Sequence, residues 1–346
     1  MTAIGKGTPL IFFLKFLVGA AFCLAVSFSS CIAEALEATP FYTQNQGPLI
    51  QIFGLPSIGE GIILPRGKAD GRFIVDLANT YIDDSNPRES ILLDGETTRF
   101  TLQGRYGIGG GLEFGAEVPY VIQGGGFLDS FIENYHSAFG FPNAGREKAP
   151  RNRLLYRYER DGKVIFNMDR SGNGLGDIKL LGGWQIYVND QRPVQALALR
   201  GSLKFPTGDS SRLLGSGSTD FALWVVGTDE YALPVGRLTV FGAAGAMVMT
   251  EGDILSEQQR PLVGFGSLGL GWTPFRWLAL KIQANAHTPF YRDSDLRELN
   301  MSSVQLTVGG TLALSKKTSL DLGISEDVIV QTSPDVVFHV ALRHLF

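Results

Sequence analysis

The chain has 346 residues, 44% of them hydrophobic, with 34 acidic and 30 basic side chains and a net charge of −4. So much apolar content at so little net charge excludes a disordered chain, and without any Lys/Arg run nothing points to a nucleic-acid partner. Past the first thirty-odd residues no charge-free apolar stretch of about 18 residues occurs, which argues against a bundle of membrane-spanning helices.

Lys6 and Lys15 precede an apolar run from Phe16 to Phe28, followed by small residues and Ala33-Glu34-Ala35. This is the pattern of a secretory signal peptide, so residues 1–35 are expected to be removed, with Ala33 and Ala35 marking the cleavage site. A retained single helix is the alternative, and the short apolar core weighs against it. Cys23 and Cys31 both lie in this segment. The exported chain would then have neither thiol nor disulfide, and something else must hold it together. A closed sheet with every backbone hydrogen bond paired is one answer. Residues 36–70 are expected to form an N-terminal periplasmic or lumen-plugging segment ahead of a barrel spanning 71–346.

From there the chain reads as strands of period two. Alternation begins at 71–83 and 94–107, and at 111–121 Leu112, Phe114, Ala116, Val118 and Tyr120 oppose Glu113 and Glu117. Segments follow near 175–189, 193–206, 218–228, 237–250 and 261–273, of which 237–250 is apolar or small on both faces. At 276–287, Leu278, Leu280, Ile282, Ala284 and Ala286 oppose Lys281, Gln283, Asn285 and His287. Segments at 303–314, 317–325 and 335–346 complete a set of about twelve. Most approach the roughly 9–11 residues that a tilted strand needs to cross a bilayer.

Connections alternate between long and short along almost the whole chain, the rhythm of outer-membrane barrels with short periplasmic turns and long external loops. The longest connection, 123–174, carries Phe127, Phe131, Ile132, Tyr135 and Phe139 at the spacing of a short amphipathic helix. It also carries Arg146, Lys148, Arg151, Arg153, Arg157 and Arg160. Such a cluster suits lipopolysaccharide phosphates. The same loop would constrict the lumen if folded inward, or form a solvated cap. Asp161-Gly162 reads as a hairpin turn between 156–160 and 163–166. If that hairpin crosses the membrane the strand count becomes 14, but its crowded charges favour an extension outside.

These features predict an all-β fold: an antiparallel transmembrane β-barrel of about 12 strands with one long external loop, in the bacterial outer membrane. In hydrocarbon every backbone polar group needs a partner, so β structure must close on itself. Tyr120, Phe205, Trp272 and Phe346 fall near segment ends on the outward parity, where aromatic girdles sit. At the C-terminus Phe338, Val340, Leu342 and Phe346 alternate. This resembles the terminal-strand signal of bacterial outer-membrane proteins that the barrel assembly machinery reads, although His344 occupies a slot that is usually apolar or aromatic.

The inward parity collects Arg99, Arg105, Glu113, Glu117, Asp177, Lys179, Arg200, Lys204, Lys281, Asp321, His339 and Arg343. One reading is a polar lumen that conducts or binds a small solute. The other is a salt-bridged filling in a non-conducting barrel that binds lipopolysaccharide or a partner through its loops. A hydrolase is a third class, and it needs a base beside a nucleophile. His287 with Asp293, Ser294 and Asp295, and His136 beside Ser137, are the candidates, but neither matches a known pattern. No His pair stands at metal-ligand spacing and no cofactor is expected. Asp209, Asp220 and Asp253 suit calcium or ordinary turn chemistry equally.

Several stretches carry distinctive motifs. They are Asn45-Gln46-Gly47-Pro48-Leu49, Phe127-Leu128-Asp129 through Tyr135-His136-Ser137 to Phe141-Pro142, and Gly174-Leu175-Gly176-Asp177. A further stretch runs from Leu203-Lys204-Phe205-Pro206-Thr207-Gly208-Asp209 into Gly215-Ser216-Gly217-Ser218-Thr219-Asp220. In these stretches the chain resembles the bacterial DUF3187 family of outer-membrane proteins, and the resemblance implies the location and the barrel for nearly all of the exported chain, and no substrate.

Overall fold

Alternating residues fix two faces on each strand, and a sheet with an apolar outside and a polar inside must curl until its edges meet. The computed structural model describes residues 36–128, 150–191, 193–329 and 332–346, so the proposed leader lies outside the described residues, as does the helix expected over Phe127–Phe139 except for Phe127 and Leu128, which are not helical. The first strands are β1 (Ala69–Ser85), β2 (Glu89–Gly109) and β3 (Leu112–Gly124). The long connection holds β4 (Leu155–Arg160), β5 (Lys163–Met168) and β6 (Gly172–Leu175). Next come β7 (Lys179–Asn189), β8 (Gln195–Lys204), β9 (Asp220–Ala232), β10 (Arg237–Met249) and β11 (Leu262–Phe275). The last are β12 (Leu278–His287), β13 (Ser303–Ala313), β14 (Thr318–Asp327) and β15 (Val336–Leu345).

Twelve of these strands form a closed antiparallel ring. β7 to β15 follow one another in order, and β15 returns to β1 from Asp70↔Leu345 to Asn79↔Val336. β3 meets β7 from Leu112↔Trp184 to Glu117↔Lys179, and nearer the long-loop rim β6 takes over from Tyr120↔Leu175 to Gln123↔Gly172. The hairpin β4–β5 adds no crossing. Besides β5, β4 pairs with the extension of β2, Glu89 to Asp94, above the point where β3 ends. The count is therefore 12 and not 14.

The outward face is apolar: Leu102 is 60% and Leu268 64% exposed, while Arg105 on the opposite parity is 5% exposed. Tyr120 and Phe205 stand exposed near the long-loop rim, and Trp272 and Phe346 near the short-turn rim. The doubly apolar segment is β10, whose inner face carries Phe241, Met247 and Met249, all buried. Met247 and Met249 are apolar because an apolar filling lies opposite them.

That filling is residues 36–68. Leu36 starts at the short-turn rim, where its amide donates to the Arg276 carbonyl and its carbonyl accepts from Arg237. The segment rises through the ring, turns at Gly47 (Ile50 and Gln51 amides both bond its carbonyl) and descends. It leaves beside Gly107, which exchanges backbone hydrogen bonds with Gly67 and Lys68. A β-carbon at Gly107 would stand 2.2 Å from the Pro65 carbonyl oxygen, so this exit requires glycine.

Candidate functional site: the occupied lumen

Strands of period two send every second side chain inward, and all twelve residues predicted to line the lumen do point there. They do not face open water. On the ascending arm, the Phe41 amide donates to Gln283 Oε1 at 2.8 Å, and the Lys281 ammonium lies 3.9 Å from the centre of the Phe41 ring. Lys281 is held in turn by Asp321 at 3.1 Å. The Tyr42 hydroxyl donates to Glu117 at 2.8 Å, and Glu117 also meets Lys179 at 3.0 Å and Arg99 at 3.8 Å. His339 sits 2.7 Å from Asp76.

The descending arm is fastened as closely. The Gly54 amide donates to Asp220 at 2.6 Å, and Lys204 lies 2.5 Å from Asp177 and 3.3 Å from Asp220. Lower down, Glu60 enters a ring of guanidiniums. It pairs with Arg72, lies 3.5 Å from Arg105 and 3.0 Å from Arg343, and its backbone carbonyl accepts from Arg200 at 2.8 Å. Asp70 and Glu113 supply the wall's own counter-charges there: Asp70 to Arg105 at 2.8 Å and Arg343 at 2.6 Å, Glu113 to Arg105 at 3.2 Å and Arg200 at 2.6 Å. Below it the Leu64 amide donates to Glu113.

The tip of the segment is different. Leu49, Ile52, Phe53 and Leu55 pack with Tyr156, Met249, Leu255, Phe290 and Tyr291 in one apolar core beneath the long loops. Phe53 stacks on Phe290 at 5.0 Å, and the Tyr291 hydroxyl donates to the Leu49 carbonyl. The hairpin β4–β5 and the loops after β10 and β12 form the roof. Tyr158 donates to Glu89 at 2.7 Å and accepts from Gln258, while Ser294 and the Asp295 amide donate to the same Glu89. Two cavities within the lumen hold about 20 and 30 Å³, each room for one or two waters. Above the roof lies an open bowl of about 1280 Å³ lined by charges of both signs, Arg88, Lys163, Arg260, Asp253 and Asp295 among them.

Among the described residues the lumen is thus occupied by residues 36–68, and the hairpin β4–β5 of the long connection caps it from above. The described start of that connection runs outside the ring, where Leu128 covers Leu77, Ile324, Val336 and Phe338. Phe338 of the terminal strand is therefore partly covered, whereas Val340, Leu342 and Phe346 stay exposed on the outward face. Arg153 pairs with Asp94 and Arg160 with Glu89, both on β2, and Arg157 with Glu159 within the hairpin, so these three are tied into ion pairs of the hairpin and its neighbour strand. Arg146 and Lys148 lie outside the described residues.

The hydrolase constellation does not assemble at His287. Its Nε2 is 2.9 Å from Asn45 Nδ2, its ring packs edge-on to Phe290, and Ser294 turns to Glu89 instead. His136 and Ser137 lie outside the described residues. Asp209 accepts from the Ser211 amide in its own turn, Asp253 accepts from Ser210, and Asp220 holds Lys204 and Gly54, which is turn and anchor chemistry. Among the described residues no group of three His, Cys, Asp or Glu side chains is placed to hold a metal ion.

Three wall residues escaped the sequence reading although their signal was present. Asp70, Arg72 and Asp76 share one parity opposite Phe73, Val75 and Leu77. Glu60 had no such signal, because its segment has no strand period.

The model of the family described as "Protein of unknown function (DUF3187)" matches residues 16–346. No curated protein matches the sequence. Among solved structures, the COG4313 outer membrane channel from Pseudomonas putida F1 superposes with a TM-score of 0.52 at 14% identity, over 83% of this chain and 98% of that one. The NanC porin gives a TM-score of 0.42 at 7% identity, over 80% of this chain and 98% of the porin. At such identities the first likeness is one of fold, a membrane-spanning barrel.

Proposed function

The chain belongs to the DUF3187 family, and from that premise we propose that it is an outer-membrane channel for a small solute, held closed by residues 36–68 acting as a plug. The observation that carries this reading is the path of the segment. It enters and leaves at the same rim, and the ring closes by β1–β15 pairing without any strand from it. Along the lumen its bonds to the wall are hydrogen bonds and ion pairs, which water can replace at a net cost of about 1 kcal/mol per hydrogen bond. A plug fixed in this way can leave as a unit while the barrel persists. The outward aromatic side chains at both rims suit lipid headgroups, the short-turn rim would face the periplasm, and lipopolysaccharide would surround the long-loop rim. The last strand would serve the barrel assembly machinery.

A second reading rests on the apolar seal at the plug tip and on the smallness of the lumen cavities: a non-conducting barrel in which the segment is permanent filling. Planar bilayers separate the two. Wild-type protein should show little current, and a variant lacking residues 36–64 should show discrete conductance steps. A deleted barrel that assembles, shown by heat-modifiable gel migration, and carries no current would establish the filling instead.

A further inference from the structure

Between Ala38 and Lys68 the plug carries a single acidic residue, Glu60, and it stands where three strands converge their guanidiniums. Arg72 comes from β1, Arg105 from β2 and Arg343 from β15, three adjacent staves of the ring. One carboxylate oxygen of Glu60 meets Arg72 and Arg105, and the other meets Arg343 at 3.0 Å. Arg200 approaches from β8 and binds both the Glu60 carbonyl and Glu113. Glu60, Arg72, Arg105 and Arg200 are buried, and the Arg343 side chain is 18% exposed.

We propose that this socket is the selectivity site of the open barrel and takes the carboxylate of a small organic anion, for which the Glu60 side chain stands in while the plug is seated. The proposal rests on the plug reading. Its physical basis is charge balance. With Glu60 seated, four guanidiniums face three carboxylates; once it leaves, the same four face only Asp70 and Glu113. Arginine cannot shed its proton at any physiological pH, so the excess of positive charge can be answered only by an anion. The guanidinium fork matches a planar carboxylate, which is the group the socket already holds. A lumen lined with both signs elsewhere would not by itself prefer either ion, so this cluster would set the preference.

The socket can be read without opening the plug. In the full-length chain, Glu60→Ala leaves the guanidiniums short of one carboxylate and should lower the temperature at which the barrel unfolds. Sodium acetate should raise that temperature towards wild type, while chloride or phosphate at equal ionic strength should not. Adding Arg343→Gln should abolish the acetate effect. Acetate acting no better than chloride would overturn the proposal. Should Glu60→Ala fail to assemble, the barrel lacking residues 36–64 carries the same empty socket and is read by the same acetate comparison.

The electrical test is separate. The deleted barrel under a KCl gradient should give a reversal potential of anion sign, reduced several-fold in permeability ratio by Arg72→Gln with Arg343→Gln. A conducting barrel without anion preference would remove the selectivity site and leave the plug standing. An assembled barrel that carries no current would remove the plug and this proposal with it.

Discussion

The indole Nε1 of Trp224 donates a 2.7 Å hydrogen bond to the carbonyl of Ile58, joining the wall strand β9 to the descending arm of the plug. Trp224 is one of four tryptophans and is 4% exposed, whereas Trp184 and Trp272 stand on the outward face. It is therefore a reporter for the lumen. With Trp184, Trp272 and Trp277 replaced by phenylalanine, emission of the full-length chain should be blue and poorly quenched by iodide. Deleting residues 36–64 should move it to the red and raise quenching several-fold. Unchanged emission in the deleted barrel would mean that Trp224 is shielded by something other than the plug.

Lys204 neutralises two carboxylates at once, Asp177 and Asp220, and also bonds the Ser216 hydroxyl at 2.5 Å. Removing one partner of a buried ion pair leaves uncompensated charge and costs about 3–5 kcal/mol. Lys204→Met should accordingly destabilise the barrel by that order in urea titrations, and adding Asp220→Asn should recover part of the loss. A neutral effect of Lys204→Met would show that the site is open to water.

Glu298 lies in the single helical turn Arg297–Asn300 of the loop after β12, and neither of its carboxylate oxygens has a hydrogen-bond partner. Burial, with a further push from Asp84, raises its pKa to about 7. A folded-state pKa above the ordinary carboxylate value means that the folded loop binds the proton more tightly. That stability is complete below the unfolded value and is lost as pH rises through about 7. Hydrogen-exchange protection factors of residues 288–302, which remove the intrinsic base catalysis, should fall between pH 5 and pH 8, and Glu298→Gln should flatten the dependence.

Phe346 closes the ring's seam: its amide donates to the Ala69 carbonyl at 2.9 Å, and its ring lies edge-on to His344 and over Gly71. Deleting Phe346 should lower the amount of heat-modifiable barrel in the outer-membrane fraction several-fold, and Phe346→Tyr should preserve it. Equal yields from the deletion would show that neither seam nor assembly depends on this residue.

The ring itself was legible residue by residue. In β12 from Leu280 to His287 and in β13 from Ser303 to Val308 apolar and polar side chains alternate, and such a pattern states which face meets lipid and which faces inward. Crowded charge separated the hairpin β4–β5 from the crossings, because Arg153, Arg157, Glu159 and Arg160 fall on a segment too short to span a bilayer. Parity alone placed Arg105, Lys204 and Arg343 inside.

What stands opposite those residues was decided only by the tertiary structure. Glu60 meets an arginine 283 positions away, Asn45 meets His287 across 242 positions, and nothing near Glu60 or Asn45 in the chain marks either meeting. Periodicity is a property of neighbours a few residues apart and so is written locally. The occupant of a lumen is set by which distant strands the closed ring brings face to face, and no local pattern carries that.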